Sequence, residues 1–179
     1  DSLVGSEMCI RDRFGALGVI AGSQATMNNF IWGNDTIQNY ETICGGTGAG
    51  PNFHGTSAIQ THMTNTRSTD PEVLETRFPV RLEEFSIREN SGGKGKFNGG
   101  DGVTRKLRFL EPMTVTTLCS HRRVKPFGLN GGSPGDCGKE WLERTDGKIL
   151  NLNGNDSCEV EPNDLFVMQT PGGGGFGEK

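Results

Sequence analysis

"VRLEEFSIRE", residues 80–89, decides how the rest of the chain is read. Val80 and Leu82 fall in one alternating phase, Phe85 and Ile87 in the other. A regular strand sends alternate residues to opposite faces, so all four share a face only if one residue is inserted between the pairs, which is what a β-bulge does. The stretch therefore reads as a bulged strand rather than a helix. Downstream, "VTRKLRFL" (103–110) keeps Val103, Leu107 and Phe109 in phase, and "MTVTTL" (113–118) is rich in β-branched residues, with Glu111–Pro112 as the turn between them. "WLERTDGKILNL" (141–152) folds back about Asp146–Gly147 as a hairpin, and "DLFVMQT" (164–170) is a compact apolar strand. Upstream, "STDPEVLET" (68–76) starts a short helix, with Asp70 able to cap free amides and Pro71 at the first helical position, where no amide is needed. The expected class is α+β and β-rich: many short strands joined by Gly-rich loops, more sandwich or open barrel than helical bundle, and a fragment of a larger domain.

The glycines are the other compositional fact. There are 28 in 179 residues, far above the soluble average of roughly 7%, and without the strict three-residue period of collagen. "CGGTGAGPNFHG" (44–55) lacks the Lys-Ser/Thr of a Walker loop and is followed by Pro51 rather than by a helix, so its glycines read as conformational rather than as a phosphate cradle. "MNNFIWGNDT" (27–36) has the Asn and Gly density of turns, and "FGALGVIAG" (14–22) reads as a buried strand or close-packed segment. The first thirteen residues differ in character from the rest of the chain and are set apart as unrelated or artefactual; residues 14–177 form the domain and 178–179 a tail.

The formal charge is −4, from 18 basic and 22 acidic residues without a basic block, which argues against nucleic acid as a partner. No apolar run reaches the roughly 18–20 residues needed to cross a bilayer. Five cysteines without a C-x-x-C pair fit reduced thiols in the cytosol better than disulfides or a zinc knuckle.

"HGTSAIQTHMTNTRSTD" (54–70) is the densest polar stretch. His62 fits a structural or interface hydrogen bond first and acid/base or metal-network chemistry second; Arg67 fits a pair with Asp70 first and a carboxylate clamp second. His62, Arg67 and Asp70 are the candidate catalytic residues, while His54 fits a structural hydrogen bond better. "CSHRRVKPFG" (119–128) gathers His121, Arg122, Arg123 and Lys125, a patch suited to an anionic substrate or an acidic partner surface.

The motifs "GSQATMNNFIWGN", "YETICGGTGAGPNFHGTSAIQTHMTNTR", "HRRVKPFGLNGGSPG" and "TPGGGGFG", taken in order from Phe14 through Gly177, resemble the C-terminal part of the B-like region of the hydantoinase B/5-oxoprolinase family. The resemblance implies ATP-driven opening of a small cyclic amide, 5-oxo-L-proline, to L-glutamate, with Mg2+ and K+, in a homo-oligomeric complete enzyme. It also implies two missing partners, an A-like ATP-binding region and the upstream B-like segment that carries the metal motif, so that this chain alone is expected to be inactive. Hydantoin hydrolysis and a non-catalytic subunit-interaction module stand as alternatives. Relatives often carry "ASQGTMNN" where this chain has "GSQATMNN", so Ala25 replaces a glycine and would restrict a turn there if that glycine has positive φ.

Overall fold

The computed structural model describes residues 2–179 except Ala25, Thr26 and Met63, with side chains from Cys9 onward. The expected effect of Ala25 therefore lies outside the described residues. Two antiparallel sheets make up the body. One has the order β2-β1-β5-β8, from Gln38–Thr42, Asn28–Gly33, Met113–Cys119 and Asn155–Val160; the other has the order β3-β4-β9-β6-β7, from Val80–Arg88, Gly102–Phe109, Leu165–Gln169, Lys139–Glu143 and Ile149–Leu152. Helix α1 (Ser2–Ala16) precedes them, and α2 (Pro71–Arg77) leads into β3.

The sheets meet face to face through large rings. Phe30 of β1 stacks on Phe166 of β9 with centroids 4.6 Å apart, and Trp32 of β1 meets Phe109 of β4 edge-on at 5.8 Å. Along β5 the residues alternate, with Met113, Val115, Thr117 and Cys119 turned inward, as expected for a strand with one dry face. β9 lies between β4 and β6 and is buried from Leu165 to Met168.

The bulge expected in β3 falls between Leu82 and Glu84. It restores a common face, since Val80, Leu82, Phe85 and Ile87 pair with Phe109, Leu107, Arg105 and Val103, the buried face of β4. Glu83, the inserted residue, accepts from Arg108 Nη2 at 3.1 Å and from Arg81 Nη2 at 2.7 Å. These two guanidiniums, Arg108 first, hold the Glu83 carboxyl at about 2, against an ordinary 4.5. Because the folded value is the lower one, the stabilisation is complete above 4.5 and is lost as pH falls toward about 2. The side chain is 26% exposed, so screening limits the effect to about 1 kcal/mol. Glu83→Gln should be less stable by that amount at neutral pH in urea unfolding, with the difference closing through this acid window. A difference that is independent of pH would mean the ion pairs contribute nothing.

Two sequence expectations are corrected. "MNNFIWGNDT" is mostly strand β1, because Asn28 is satisfied inside the fold: its Nδ2 donates to Gln24 Oε1 and to Ile43 O. The turn is confined to Asn34–Ile37, where Asn34 Oδ1 accepts from Thr36 N and Ile37 N. Of the two readings of "FGALGVIAG", the strand is overturned, since the stretch completes α1 and then runs as irregular chain, while the close-packed segment agrees with buried Ala21 and Gly22 and with Gly15 and Gly22 set against Phe127.

The glycine clusters assemble at one end of the sandwich. Segments near residues 45–50, 91–101, 127–135 and 170–177 lie side by side and are joined by main-chain hydrogen bonds outside any named strand. The closing tract is fully enclosed from Thr170 to Phe176. Its successive residues address different neighbours. Gly173 donates to Gly100 O and accepts from Gly93 N; Gly174 donates to Gly22 O and accepts from Ala49 N; Gly175 donates to Ser133 O and accepts from Leu129 N. A β-strand serves two neighbours, whereas this segment serves more, at spacings that leave no room for side chains. A Cβ built on Gly173 would land on the carbonyl oxygen of Thr47, and one on Gly46 on that of Gly100.

Candidate functional site

The packed glycines settle what the 45–50 loop can do. The amides of Gly46, Thr47, Ala49 and Gly50 already donate to Pro171 O, Thr56 O, Gly174 O and Phe53 O. A phosphate cradle needs such amides free and convergent, so this loop is a packing element.

His62 sits beside it, in a turn closed by Thr64 N donating to Thr61 O at 3.1 Å. Its φ of +56° is unusual for a residue with a side chain and is the kind of backbone often found at functional positions. The ring Nε2 lies 3.1 Å from the hydroxyl of Ser23, which is 1% exposed, and the ring centroid is 5.9 Å from that of Phe14. The arrangement sets an imidazole against a hydroxyl. Gln60 Nε2 and Thr66 Oγ1 both donate to Thr42 O, tying the His62 segment to the end of β2.

The other two candidates lie apart from this contact. Asp70 caps α2, accepting from Glu72 N at 2.9 Å and Val73 N at 3.4 Å, with Pro71 at the first helical position as expected. Arg67 is exposed, and no ion pair or hydrogen bond joins it to Asp70. His54 plays a structural part, since its Nδ1 accepts from Asn98 N at 2.9 Å and its ring meets Phe97 edge-on. Among the described residues no group of three or more His, Cys, Asp or Glu is placed to hold a metal, and no helix is long and apolar enough to cross a membrane. All five cysteines are free; burial pushes the thiols of Cys44 and Cys119 up, and that of Cys158 to about 11, so none of these three is an activated thiolate.

Sequence reasoning missed two buried ion pairs that bridge the sheets. Arg105 of β4 donates through Nη2 to both carboxylate oxygens of Glu41 on β2, each at 2.9 Å, with side chains 1% and 6% exposed. Arg122, just after β5, pairs with Glu140 of β6 and also donates to Asn28 Oδ1 and Ser120 O, both at 2.6 Å. Partners so distant in sequence leave no local pattern to read. The rest of the 121–125 patch divides. His121 Nδ1 bonds Val124 O at 2.7 Å while burial pushes its pKa down; Lys125 reaches Asp136 at 3.2 Å; Arg123 is exposed and has no partner among the described residues.

A fold of two sheets closed by a glycine bundle, with these motifs in this order, defines a member of the hydantoinase B/oxoprolinase class. The family model described as "Hydantoinase B/oxoprolinase" matches residues 5–179, and the chain belongs to that family. Among individual relatives, a Dictyostelium discoideum protein named 5-oxoprolinase is 50% identical over 164 residues, covering 92% of this chain and 13% of its own length. Arabidopsis thaliana 5-oxoprolinase 1 is 49% identical over 162 residues, covering 90% of this chain and again 13% of its own length. The chain thus spans about an eighth of these relatives. Of solved structures, the ATP-dependent caprolactamase of Pseudomonas jessenii superposes with a TM-score of 0.72 at 23% identity, over 89% of this chain and 30% of that one. A nucleotide-free acetone carboxylase superposes at 0.68 and 19% identity, over 87% of this chain and 26% of that one. At such identities these two support the fold.

Proposed function

We propose that this chain is part of the B-like region of an ATP-dependent cyclic amidohydrolase that opens 5-oxo-L-proline to L-glutamate, in a cytosolic homo-oligomer. The observation that carries the reading is the 50% identity, over nearly the whole chain, to a protein named 5-oxoprolinase. In this reading His62 serves as an acid/base group held by Ser23, Arg67 contacts the substrate carboxylate, and Asp70 orders the segment between them and α2. ATP supplies the activation that makes a resonance-stabilised amide electrophilic. The glycine loop does not fit it, since the amides of Gly46, Thr47, Ala49 and Gly50 are taken, and in this reading ATP, Mg2+ and K+ are assigned to the A-like and upstream B-like polypeptide.

The test is 5-oxoproline-dependent ATP hydrolysis by a complete enzyme carrying this segment, beside the same assay on the 179-residue chain. The complete enzyme should turn over and the chain alone should not; turnover by the chain would overturn the dependence on absent polypeptide. His62→Asn, chosen because Asn tolerates positive φ, should lower kcat by about a hundredfold. Arg67→Ala should raise KM by about tenfold. Asp70→Asn should leave stability unchanged, because Asn caps as well as Asp, so any loss of activity in it would assign the charge to chemistry.

A second reading is favoured by one observation: the ring of His62 engages a buried serine and Asp70 caps a helix, which is what a purely structural or subunit-interaction module requires. It predicts that His62→Asn impairs assembly while assembled enzyme keeps its turnover.

A further inference from the structure

Between the turn that follows β5 and the turn that precedes β8 runs a groove of two adjoining hollows, about 410 and 210 Å³, that share Arg122, Arg123, Asn153 and Gly154. Neither His62, Arg67 nor Asp70 lines it. We propose that this groove binds a small oxyanion, a carboxylate- or phosphate-bearing molecule, with Arg123 as its anchor.

The lining mixes apolar side chains, among them Val124, Trp141 and Leu152, with polar groups that are mostly donors. Glu140 is the one carboxylate along either hollow, and Arg122 already neutralises it. Arg122 has Nε and Nη2 on Glu140 and Nη1 on Asn28 and Ser120, so it fixes the turn instead of reaching for a ligand. The next residue, Arg123, is thereby presented to the groove with its guanidinium unpaired, and Lys139 on the far side is likewise exposed and unpaired among the described residues. Asn155 uses its Oδ1 to accept from Cys119 N at 3.2 Å, which leaves its amide nitrogen as a donor. Asp156, adjacent in sequence to Asn155, is held by Asn153 N and Ser157 N and does not line the groove.

The turn is preorganised. His121 Nδ1 bonds Val124 O, Gly138 N donates to His121 O at 3.0 Å, and Ser120 N donates to Met27 O at 2.7 Å. Gly154 lets the two turns approach, since a Cβ there would meet Cys119 O and the Arg122 stem. A planar fork with free N–H groups suits two-pronged recognition of a carboxylate or phosphate, and the larger hollow falls within the roughly 300–1,000 Å³ of small-molecule sites. On a chain of net charge −4, two unpaired cations facing one hollow are a local feature, not the average surface.

The test titrates the chain with inorganic phosphate and, separately, with succinate at constant ionic strength, following backbone amide NMR shifts. Saturable shifts confined to residues 120–124, 138–141 and 151–155 are expected, with Arg123→Ala weakening affinity at least tenfold and Arg123→Lys weakening it less. Lys125→Ala, at a residue that pairs with Asp136 outside the groove, should titrate like the parent. Response to phosphate alone, succinate alone or both supports the site and names its anion class. No saturable shift with either anion, or an Arg123→Ala chain that titrates like the parent, overturns it.

Discussion

Gly173→Ala should prevent the chain from folding cooperatively, whereas Gly147→Ala should cost about 1 kcal/mol and leave the transition intact. The contrast rests on what surrounds each residue. Gly147 lies in the β6–β7 hairpin with φ +85° and open space about it, so a methyl group there meets only the backbone penalty of a left-handed turn. Gly173 lies in the enclosed tract, with Gly100 O and Gly93 N as hydrogen-bond partners and the main chain of Thr47 where a Cβ would go. A side chain can change rotamer to admit a methyl group, but a main chain hydrogen-bonded on both sides can move only by breaking the bundle. Overpacking in ordinary cores costs about 1–3 kcal/mol; against fixed backbone at least about 4 kcal/mol is expected, a large share of a domain's stability. Chemical denaturation with circular dichroism distinguishes the two. If Gly173→Ala unfolds with a midpoint close to that of the parent, the tract is not a close-packed element.

The same bundle explains what the sequence could and could not disclose. That the glycines are conformational is legible, because "GGTGAGP" lacks the residues a phosphate loop requires. That they form one object is not, since Gly46, Gly100 and Gly173 become neighbours only once both sheets have formed. The bulge at Glu83 is legible because two apolar phases in one short stretch cannot share a face otherwise. Asp70–Pro71 and Asp146–Gly147 are legible for a similar reason: capping and turn chemistry is local. Strand β1 reads as a turn because Asn28 and Asn29 are ordinarily turn residues, and the acceptors and donors that let them stay inside a sheet, among them Gln24, Thr42 and Arg122, come from elsewhere. Of the candidate site, the 54–70 segment is marked by its polar density, but nothing local shows that His62 faces Ser23 while Asp70 serves a helix.

Arg122→Met should be the most damaging side-chain substitution on the groove side of the sandwich, lowering stability by about 3–5 kcal/mol. Among the described residues the guanidinium is the only cation paired with the Glu140 carboxylate, whose side chain is 0% exposed and whose Oε2 has no hydrogen-bond partner even in the intact chain. Removing it leaves a negative charge enclosed between β6 and the end of β5 and strips Asn28 Oδ1 and Ser120 O of their donor. A buried pair of this kind adds little net stability over a well-packed apolar pair, because each ion surrendered its hydration on folding. The double variant Arg122→Met/Glu140→Leu should therefore recover most of the loss, leaving about 1–2 kcal/mol for the two orphaned acceptors. In a urea double-mutant cycle the coupling between the positions should reach at least about 2 kcal/mol. Additive losses would mean that water reaches Glu140 once Arg122 is gone, in which case the turn carrying Arg123 is held by its main-chain hydrogen bonds rather than by the ion pair beneath it.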